Sequence, residues 1–208
     1  DIQPIKTTVL ESEYVKDVYN EIAEHFSETR YRPWPKIKEF VSNVKKGSIV
    51  IDIGCGNGRY LHINESVVKL GSDRSVELAK ICHKRGFEIS VTDILNIPFK
   101  DNSFDVVMSI AVVHHLAGET HRLRGLQELV RILRPGGKVL VYVWAFEQNE
   151  RDFPAQDCFV PWHLSKNVNK KSKESSISSG YKKEEKEEGE KKILKRFYHV
   201  FVKGELEG

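Results

Sequence analysis

Short β-branched runs, each broken off by glycine or aspartate and followed by a stretch of helical spacing, constrain this chain more than any other feature. The clearest is Ser48-Ile-Val-Ile-Asp-Ile-Gly54, and similar runs recur at Val67–Ser72, Glu88–Thr92, Phe104–Ile110 and Lys138–Ala145. Runs of this length and composition read as buried strands. Helical stretches lie between them at Ser75–Arg85 and Glu119–Leu133, and in the second Leu123, Leu126, Leu129, Val130 and Leu133 fall at helical spacing. Arg134-Pro-Gly-Gly137 closes that helix and turns the chain. Residues 10–45 also read as helical. Strands alternating with helices predict an α/β fold built on a doubly wound parallel sheet.

Composition narrows the class. The chain has 208 residues, 39% of them hydrophobic, which is enough for one cored domain and excludes wholesale disorder. No apolar run approaches the ~18 residues that a membrane span needs; the longest, Val106–Leu116, is interrupted by Ser109, His114 and His115. No charged-then-apolar leader opens the sequence, which predicts no secretion, and the first residue, Asp1, suggests a cropped or processed form. Cys55, Cys82 and Cys158 contain no C-x-x-C pair, arguing against a disulfide framework or a zinc cage and for a reducing, cytoplasmic setting. A formal charge of +3 does not by itself imply nucleic acid. From Ser165 to Arg196 the chain carries eleven Lys/Arg and six Asp/Glu with almost no large apolar residue. Such a stretch reads as a flexible, solvated insertion, with an RNA-phosphate tether as the functional alternative.

Asp52-Ile-Gly-Cys-Gly-Asn-Gly58 follows the first strand. Its glycines allow a tight turn and close approach of a ligand to the backbone. The spacing is not that of a dinucleotide fingerprint, because Arg59 stands where the third glycine would be, and no P-loop Lys-Ser/Thr follows. A tight strand-to-helix turn would explain the loop taken alone. Asp73, however, ends the second strand, where a carboxylate accepts both ribose hydroxyls of a nucleoside. Asp93 ends the third, beside Ile94 and Leu95, offering a polar group to an exocyclic amine and apolar faces to an adenine. Each acid is also a candidate helix cap, Asp73 especially. Acids at three successive strand ends are harder to assign to capping, since ligands in these sheets bind outside the carboxyl ends of the strands.

Asp52–Gly58, Asp73, Asp93 with Pro98-Phe99, Phe104-Asp-Val-Val-Met-Ser109 and Leu133-Arg-Pro-Gly-Gly137 together resemble the ordered motifs of the class I S-adenosylmethionine-dependent methyltransferases, over residues 46–145. The resemblance implies a Rossmann-like sheet and S-adenosyl-L-methionine as cofactor. It brings Gly54, Gly56 and Gly58 near the methionine end, with Cys55 and Asn57 between them. It sets Asp73 and Arg74 at the ribose, Asp93, Ile94 and Leu95 at the adenine, and Ser109, Ile110 and Ala111 near the sulfonium. Asp52 would orient the loop and the cofactor's amino group. Tyr19, on the amino-terminal helix, would seal the cleft or touch the methyl donor, plain packing being the alternative.

The flanks are similar to one eukaryotic family, the tRNA wobble-uridine carboxymethyl methyltransferases. The blocks that carry this are His25-Phe-Ser-Glu-Thr-Arg-Tyr-Arg-Pro-Trp-Pro35, Ser109-Ile-Ala-Val-Val-His-His115, Val143-Trp-Ala-Phe-Glu-Gln148, Asp157-Cys-Phe-Val-Pro-Trp162 and Arg196-Phe-Tyr-His-Val-Phe-Val-Lys-Gly-Glu-Leu206. The resemblance implies esterification of the carboxylate of 5-carboxymethyluridine in a tRNA anticodon loop. A carboxylate is ionised at pH 7 and needs no general base, so alignment and exclusion of water are the main demands. Arg30 is the expected electrostatic clamp, His114 or His115 a hydrogen-bonding positioner, and Arg32 and Trp144 substrate contacts. A pocket-rim role without chemistry is the alternative for the histidine pair, and core packing is the alternative for Trp144. With His121 the pair makes no convincing metal site.

The resemblance also implies a small zinc-binding activator subunit adding a strand at the third strand, with Phe87, Ile89, Val91 and the preceding Ile81 and Cys82 as the surface. It further implies a sheet lacking part of its C-terminal strands, since the chain stops at Gly204-Glu-Leu-Glu-Gly208, and a weakly active form. The expected organisation is a helical cap (1–45), a cofactor-binding core (46–163), a charged insertion (164–195) and a C-terminal segment packed on the core (196–208). The competing functions are a class I enzyme acting on a small molecule and a non-catalytic tRNA-binding scaffold.

Overall fold

The computed structural model describes residues 6–149, 151–164 and 192–207. Five strands, β1 (Ile49–Ile53), β2 (Val68–Asp73), β3 (Ile89–Val91), β4 (Phe104–Ile110) and β5 (Leu133–Tyr142), form one sheet in the order β3-β2-β1-β4-β5. Every pairing in it is parallel. The chain starts in the middle and winds outward both ways, so the strand order reverses beside β1, where such sheets open a crevice at their carboxyl ends.

Both faces of the central strands are buried, which explains their near-continuous apolar runs. Ile51, Ile53 and Val107 pack with Leu129 and Ile132 from the region of α5 (Glu119–Arg131), while Val50, Val106 and Met108 pack with Ile37 and Val41 of α3 (Pro35–Ser42). Helix α4 (Val76–Lys84) begins at Ser75, whose hydroxyl accepts from Leu78 N–H at 3.2 Å as an N-cap.

Three boundaries differ from the sequence expectation. The helical stretch 10–45 is α1 (Thr7–Glu11), a π-helical turn (Ser12–Lys16), α2 (Asp17–Thr29) and α3, with an extended break between the last two. Trp34 is extended (φ −71, ψ 135) because Pro35 follows it, and that proline then opens α3 at its first turn. Arg134-Pro-Gly-Gly137 lies inside β5 as a bulge: Phe104 pairs with Leu133, but Val106 pairs with Lys138.

The third difference is a hairpin. β6 (Asp157–Leu164) and β7 (Lys192–His199) form an antiparallel pair of their own, from Asp157 opposite His199 to Leu164 opposite Lys192. Leu164 and residues 192–195 therefore belong to strands rather than to the charged insertion, whose remaining residues, 165–191, lie outside the described ones. The hairpin covers α2: Trp162 packs with Val18 and Ile22, and its Nε1–H donates to His25 Nδ1 at 3.0 Å. On the other side of the sheet β5 is the last strand among the described residues, with Val139 and Tyr142 still 41% and 40% exposed. No helix among the described residues is long and apolar enough to cross a membrane.

Buried carboxylates tie the layers together. Glu11 accepts from Ala117 N–H at 2.8 Å and meets His121 Nδ1 at 2.7 Å, anchoring the amino-terminal helix to the start of α5. Glu128 accepts from Ile97 N–H at 2.9 Å and from Arg131 Nε and Nη2 at 2.9 and 2.8 Å, joining α5 to the loop after β3. Replacing Glu128 by alanine leaves those donors without their acceptor. It should cost about 2–3 kcal/mol, read as a lower urea midpoint at unchanged slope; a loss below about 0.5 kcal/mol would contradict this role.

Candidate active site

The carboxyl ends of β1, β2 and β4 open into a cleft roofed by α2 and the β6–β7 hairpin. The turn after β1 sets its floor. Gly54 (φ +78) has no room for a side chain, since a Cβ there would stand 2.2 Å from Val112 Cγ2. Gly56 (φ +58) exposes its backbone to the cleft, and a Cβ there would press on Phe26 at 3.2 Å. Ala111, at the tip of β4, is also left-handed (φ 61) and donates its N–H to Tyr142 carbonyl at 2.7 Å.

Two acids lie buried beside this turn. Asp52 is 1% exposed and neither carboxylate oxygen has a partner among the described residues. Burial, then the nearby Asp73, push it up to about 7. Asp73 is raised to about 6 by burial, against the N–H groups of Ser75 and Gly56, each 2.8 Å from one of its oxygens. Capping of α4 is thus done by Ser75, which leaves Asp73 to the glycine turn and the cleft. Folding disfavours the ionised form of both acids: the cost is absent below the unfolded carboxylate range, grows as pH rises and is complete above about 7. Acids kept at such a cost in a cleft await groups that would bond to their charged forms.

Most of the residues expected at the site converge there. Tyr19, Cys55, Asn57, Arg74, Asp93, Ile94, Ile110, Trp144 and Arg30 all line the cleft with the glycine turn. Asp93 already receives Leu95 N–H at 2.9 Å and pairs with Arg74 Nε at 3.2 Å, so an amine would share it with a cation. Four expected residues lie outside the lining. Gly58 backs onto Phe87 and the Cys82 thiol instead. Ser109 is 0% exposed, its side chain alternating away from the cleft with the strand. Leu95, half-buried, packs against the core cluster to which Ile94 belongs, and Arg32 is exposed outside the cleft.

The histidine pair sits on a 3₁₀ turn (Val113–His115) and lines the cleft, both side chains buried. His115 Nδ1 lies 2.8 Å from Phe197 carbonyl and therefore carries the proton, leaving Nε2 to accept from Tyr19 hydroxyl at 3.0 Å. His114 Nδ1 accepts from Trp144 N–H at 3.3 Å, so its proton is on Nε2, for which no described residue supplies a partner. Burial holds His115 down to about 3 and His114 well below the usual imidazole range. Both rings are neutral. His121 bonds to Glu11, away from this pair.

The sequence reading missed Arg196. It lies on β7 and is 6% exposed, and no carboxylate among the described residues lies within ion-pair distance of it. Its Nη1 donates to Tyr198 hydroxyl at 2.9 Å and reaches Tyr19 hydroxyl at 3.4 Å, while Nε has no partner. The guanidinium lies 4.7 Å from the Trp162 ring centroid, and Arg30 lies 5.1 Å from the same centroid. Partial burial and then the Arg196 charge hold Arg30 below its ordinary value. Two guanidiniums on one side of a cleft, with no carboxylate at ion-pair distance among the described residues, make an anion site. The signal in the sequence was a lone arginine opening an otherwise aromatic run, read there as a packing segment.

Comparison with known proteins agrees with this geometry. Residues 51–141 match the family model described as "Methyltransferase domain". The chain is 42% identical over 201 residues to the tRNA (carboxymethyluridine(34)-5-O)-methyltransferase of Schizosaccharomyces pombe, covering 94% of this chain and 86% of that protein. It is 43% identical over 239 residues to the tRNA (carboxymethyluridine(34)-5-O)-methyltransferase alkbh8 of Xenopus tropicalis, covering 96% of this chain but only 37% of that longer protein. Among solved structures, the methyltransferase in a complex with the Haloferax volcanii Trm112 methyltransferase activator shares the fold. The match has a TM-score of 0.50 and 24% identity over 60% of this chain and 58% of that one. Identity of this level across nearly the whole of both the chain and its fission-yeast relative shows that the chain belongs to the tRNA (carboxymethyluridine(34)-5-O)-methyltransferase family.

Proposed function

We propose that the chain methylates the carboxylate of 5-carboxymethyluridine at the wobble position of a tRNA anticodon, using S-adenosyl-L-methionine. The observation that carries this reading is Arg196: a buried cation without an acid in a cleft is stable with an anionic ligand and costly without one. The cofactor fits the residues beside it. Asp52 offers two unpartnered oxygens to an ammonium group, Asp73 retains lone pairs for ribose hydroxyls, and Ile94 offers an apolar face to a base. When bound, the cofactor supplies an electrophilic methyl group to an oxygen nucleophile.

The chain's own residues meet the remaining demands. Arg196 and Arg30 hold the substrate carboxylate electrostatically; the hydroxyls of Tyr198 and Tyr19 fix the Arg196 guanidinium. A carboxylate needs no base, and the neutral His115 supplies none, since both its nitrogens are engaged in fixing Tyr19 and the hairpin. His114 Nε2–H is the donor left to orient an acceptor oxygen. Trp144, 4.7 Å from the Tyr198 ring centroid, offers its face to an unstacked base. The buried part of this wall, His114, His115, Arg196 and Tyr198, limits the access of water.

A small zinc-binding activator subunit, implied by the family resemblance, is proposed to add a strand to β3, which is the edge of the sheet and only three residues long. The surface is narrower than the sequence suggests. Phe87 and Ile89 pack against Cys55, Leu61 and Cys82, and Ile81 and Cys82 are 8% and 0% exposed. Val91, 55% exposed, and the unpaired backbone of β3 remain. Hydrogen exchange tests this: the partner should slow exchange at Ile89–Val91 and leave α5 unchanged, and unchanged β3 exchange in a formed complex would place the contact elsewhere.

Transfer of labelled methyl from S-adenosyl-L-methionine to tRNA bearing 5-carboxymethyluridine, with and without the activator, tests the reaction. The label should appear as a base-labile ester, and tRNA lacking the carboxymethyl group should accept none. Arg196→Met should lower kcat/KM roughly 10²–10³-fold, with Arg196→Lys intermediate and donor affinity changed only severalfold. Equal turnover by Arg196→Met, or label on tRNA without the carboxylate, would refute the assignment.

A further inference from the structure

Five arginines of this chain are paired with acids, whereas Arg85 is held by Asn57 carbonyl and Ser27 hydroxyl. Arg74, Arg122, Arg124, Arg131 and Arg134 each lie within 4 Å of a carboxylate, from 2.7 Å for Arg131 with Asp101 to 3.9 Å for Arg122 with Glu205. Around the cleft pairing is sparser: Arg74 keeps Asp93 at 3.2 Å, but other cationic side chains there have no such partner among the described residues. Arg32 and Arg59, like Arg30 and Arg196, have no acid at ion-pair distance among the described residues. They are stacked on aromatic rings instead. Arg59 lies 4.8 Å from the Trp34 ring centroid and 5.2 Å from that of Tyr60, and Arg32 lies 5.6 Å from that of Tyr31. Tyr31 is 60% exposed although it is large and apolar.

We propose that Arg32 and Arg59, with the faces of Tyr31 and Trp34, form a collar that binds single-stranded RNA of the substrate loop beside the cleft. The inference rests on the tRNA reading above and adds where the polynucleotide is held. The break between α2 and α3 presents these residues, because Pro33 and Pro35 keep the chain extended there; Tyr31 and Arg32 are exposed, while Trp34 is half-buried against the core. The Arg59 guanidinium donates to Arg32 carbonyl at 3.5 Å, which joins the loop to the end of the glycine turn. Arg59 and Trp34 also line the cleft, so the collar is continuous with the pocket that would take the target base.

The chemistry selects a single strand. Unpaired guanidiniums attract phosphates, and stacking on exposed rings requires bases free of their own pairing, which a loop supplies and a duplex does not. An acidic protein segment would use the cations but not the flat apolar faces. Lys80, paired with Glu77 on α4 at 2.8 Å, is a matched control outside the collar.

Fluorescence anisotropy with an anticodon stem-loop RNA, measured without methyl donor over a range of salt, tests the collar. Arg32→Ala and Arg59→Ala should each lower the magnitude of the log Kd against log salt slope by roughly 0.7 and weaken binding severalfold. Tyr31→Ala should weaken binding at unchanged slope, and Lys80→Ala should match the unsubstituted protein. A duplex RNA of equal length should bind more weakly than the stem-loop. Wild-type slope and affinity in Arg32→Ala and Arg59→Ala, or an equal loss in Lys80→Ala, would overturn the proposal. The two readings fail separately. Methyl transfer to free 5-carboxymethyluridine with no collar effect on RNA refutes the collar alone; collar-dependent RNA binding without any methyl transfer refutes the reaction.

Discussion

Two carboxylates, Asp52 and Asp73, are buried side by side at the tips of neighbouring strands, and each raises a demand that the surrounding fold answers. Asp73 is held by the N–H groups of Gly56 and Ser75, which fixes the glycine turn to the start of α4. Asp52 is held by nothing among the described residues, and its charge is disfavoured until a donor arrives. The turn is compatible with no side chain at Gly54 because Val112, just past the end of the neighbouring β4, fills that space. Sheet register, turn conformation and acid placement are therefore one constraint, and the cleft exists where they meet.

Around that cradle the chain arranges charge unevenly. Away from the cleft Arg122, Arg124, Arg131 and Arg134 neutralise acids, and Arg131 with Glu128 ties α5 to a loop. At the cleft Asp93 keeps Arg74, but Asp52 is without a bonded cation and Arg30 and Arg196 are without acids at ion-pair distance among the described residues. Such separation is unfavourable for stability and is what a site needs if one ligand brings an ammonium group and another a carboxylate. The neutral histidines fit the same scheme, since a protonated imidazole beside two guanidiniums would add a third positive charge.

The central sheet was legible because its information is local. β4 runs from Phe104 to Ile110 as the apolar pattern predicts, and the glycine turn, Asp73 and Asp93 fall at successive strand ends. The hairpin was not legible, because Asp157–Leu164 pairs with Lys192–His199 across a long charged segment and lysines on one strand hide its period. With the hairpin went Arg196, whose place in the cleft depends on that distant pairing. Ser109 and Leu95 were expected at the site from their neighbours in sequence, but alternation along a strand buries Ser109 and the turn at Asp93 leaves Leu95 half-buried against the core. Arg32 was placed in the cleft as Arg30 is, whereas the extended break before α3 leaves it outside.

Calorimetric titration of S-adenosyl-L-methionine at pH 6.5, in two buffers of different ionisation enthalpy, tests the cradle most directly. Asp52, raised to about 7, is mostly protonated at that pH and must ionise to receive an ammonium group. Release of roughly three-quarters of a proton per donor bound is expected at pH 6.5 and is largely lost in Asp52→Asn; toward pH 8.5 it gives way to uptake, as the donor's own amino group gains the proton it needs to bind as ammonium. Binding heats that do not depend on the buffer, or proton release that persists in Asp52→Asn, would show that the donor does not engage this acid.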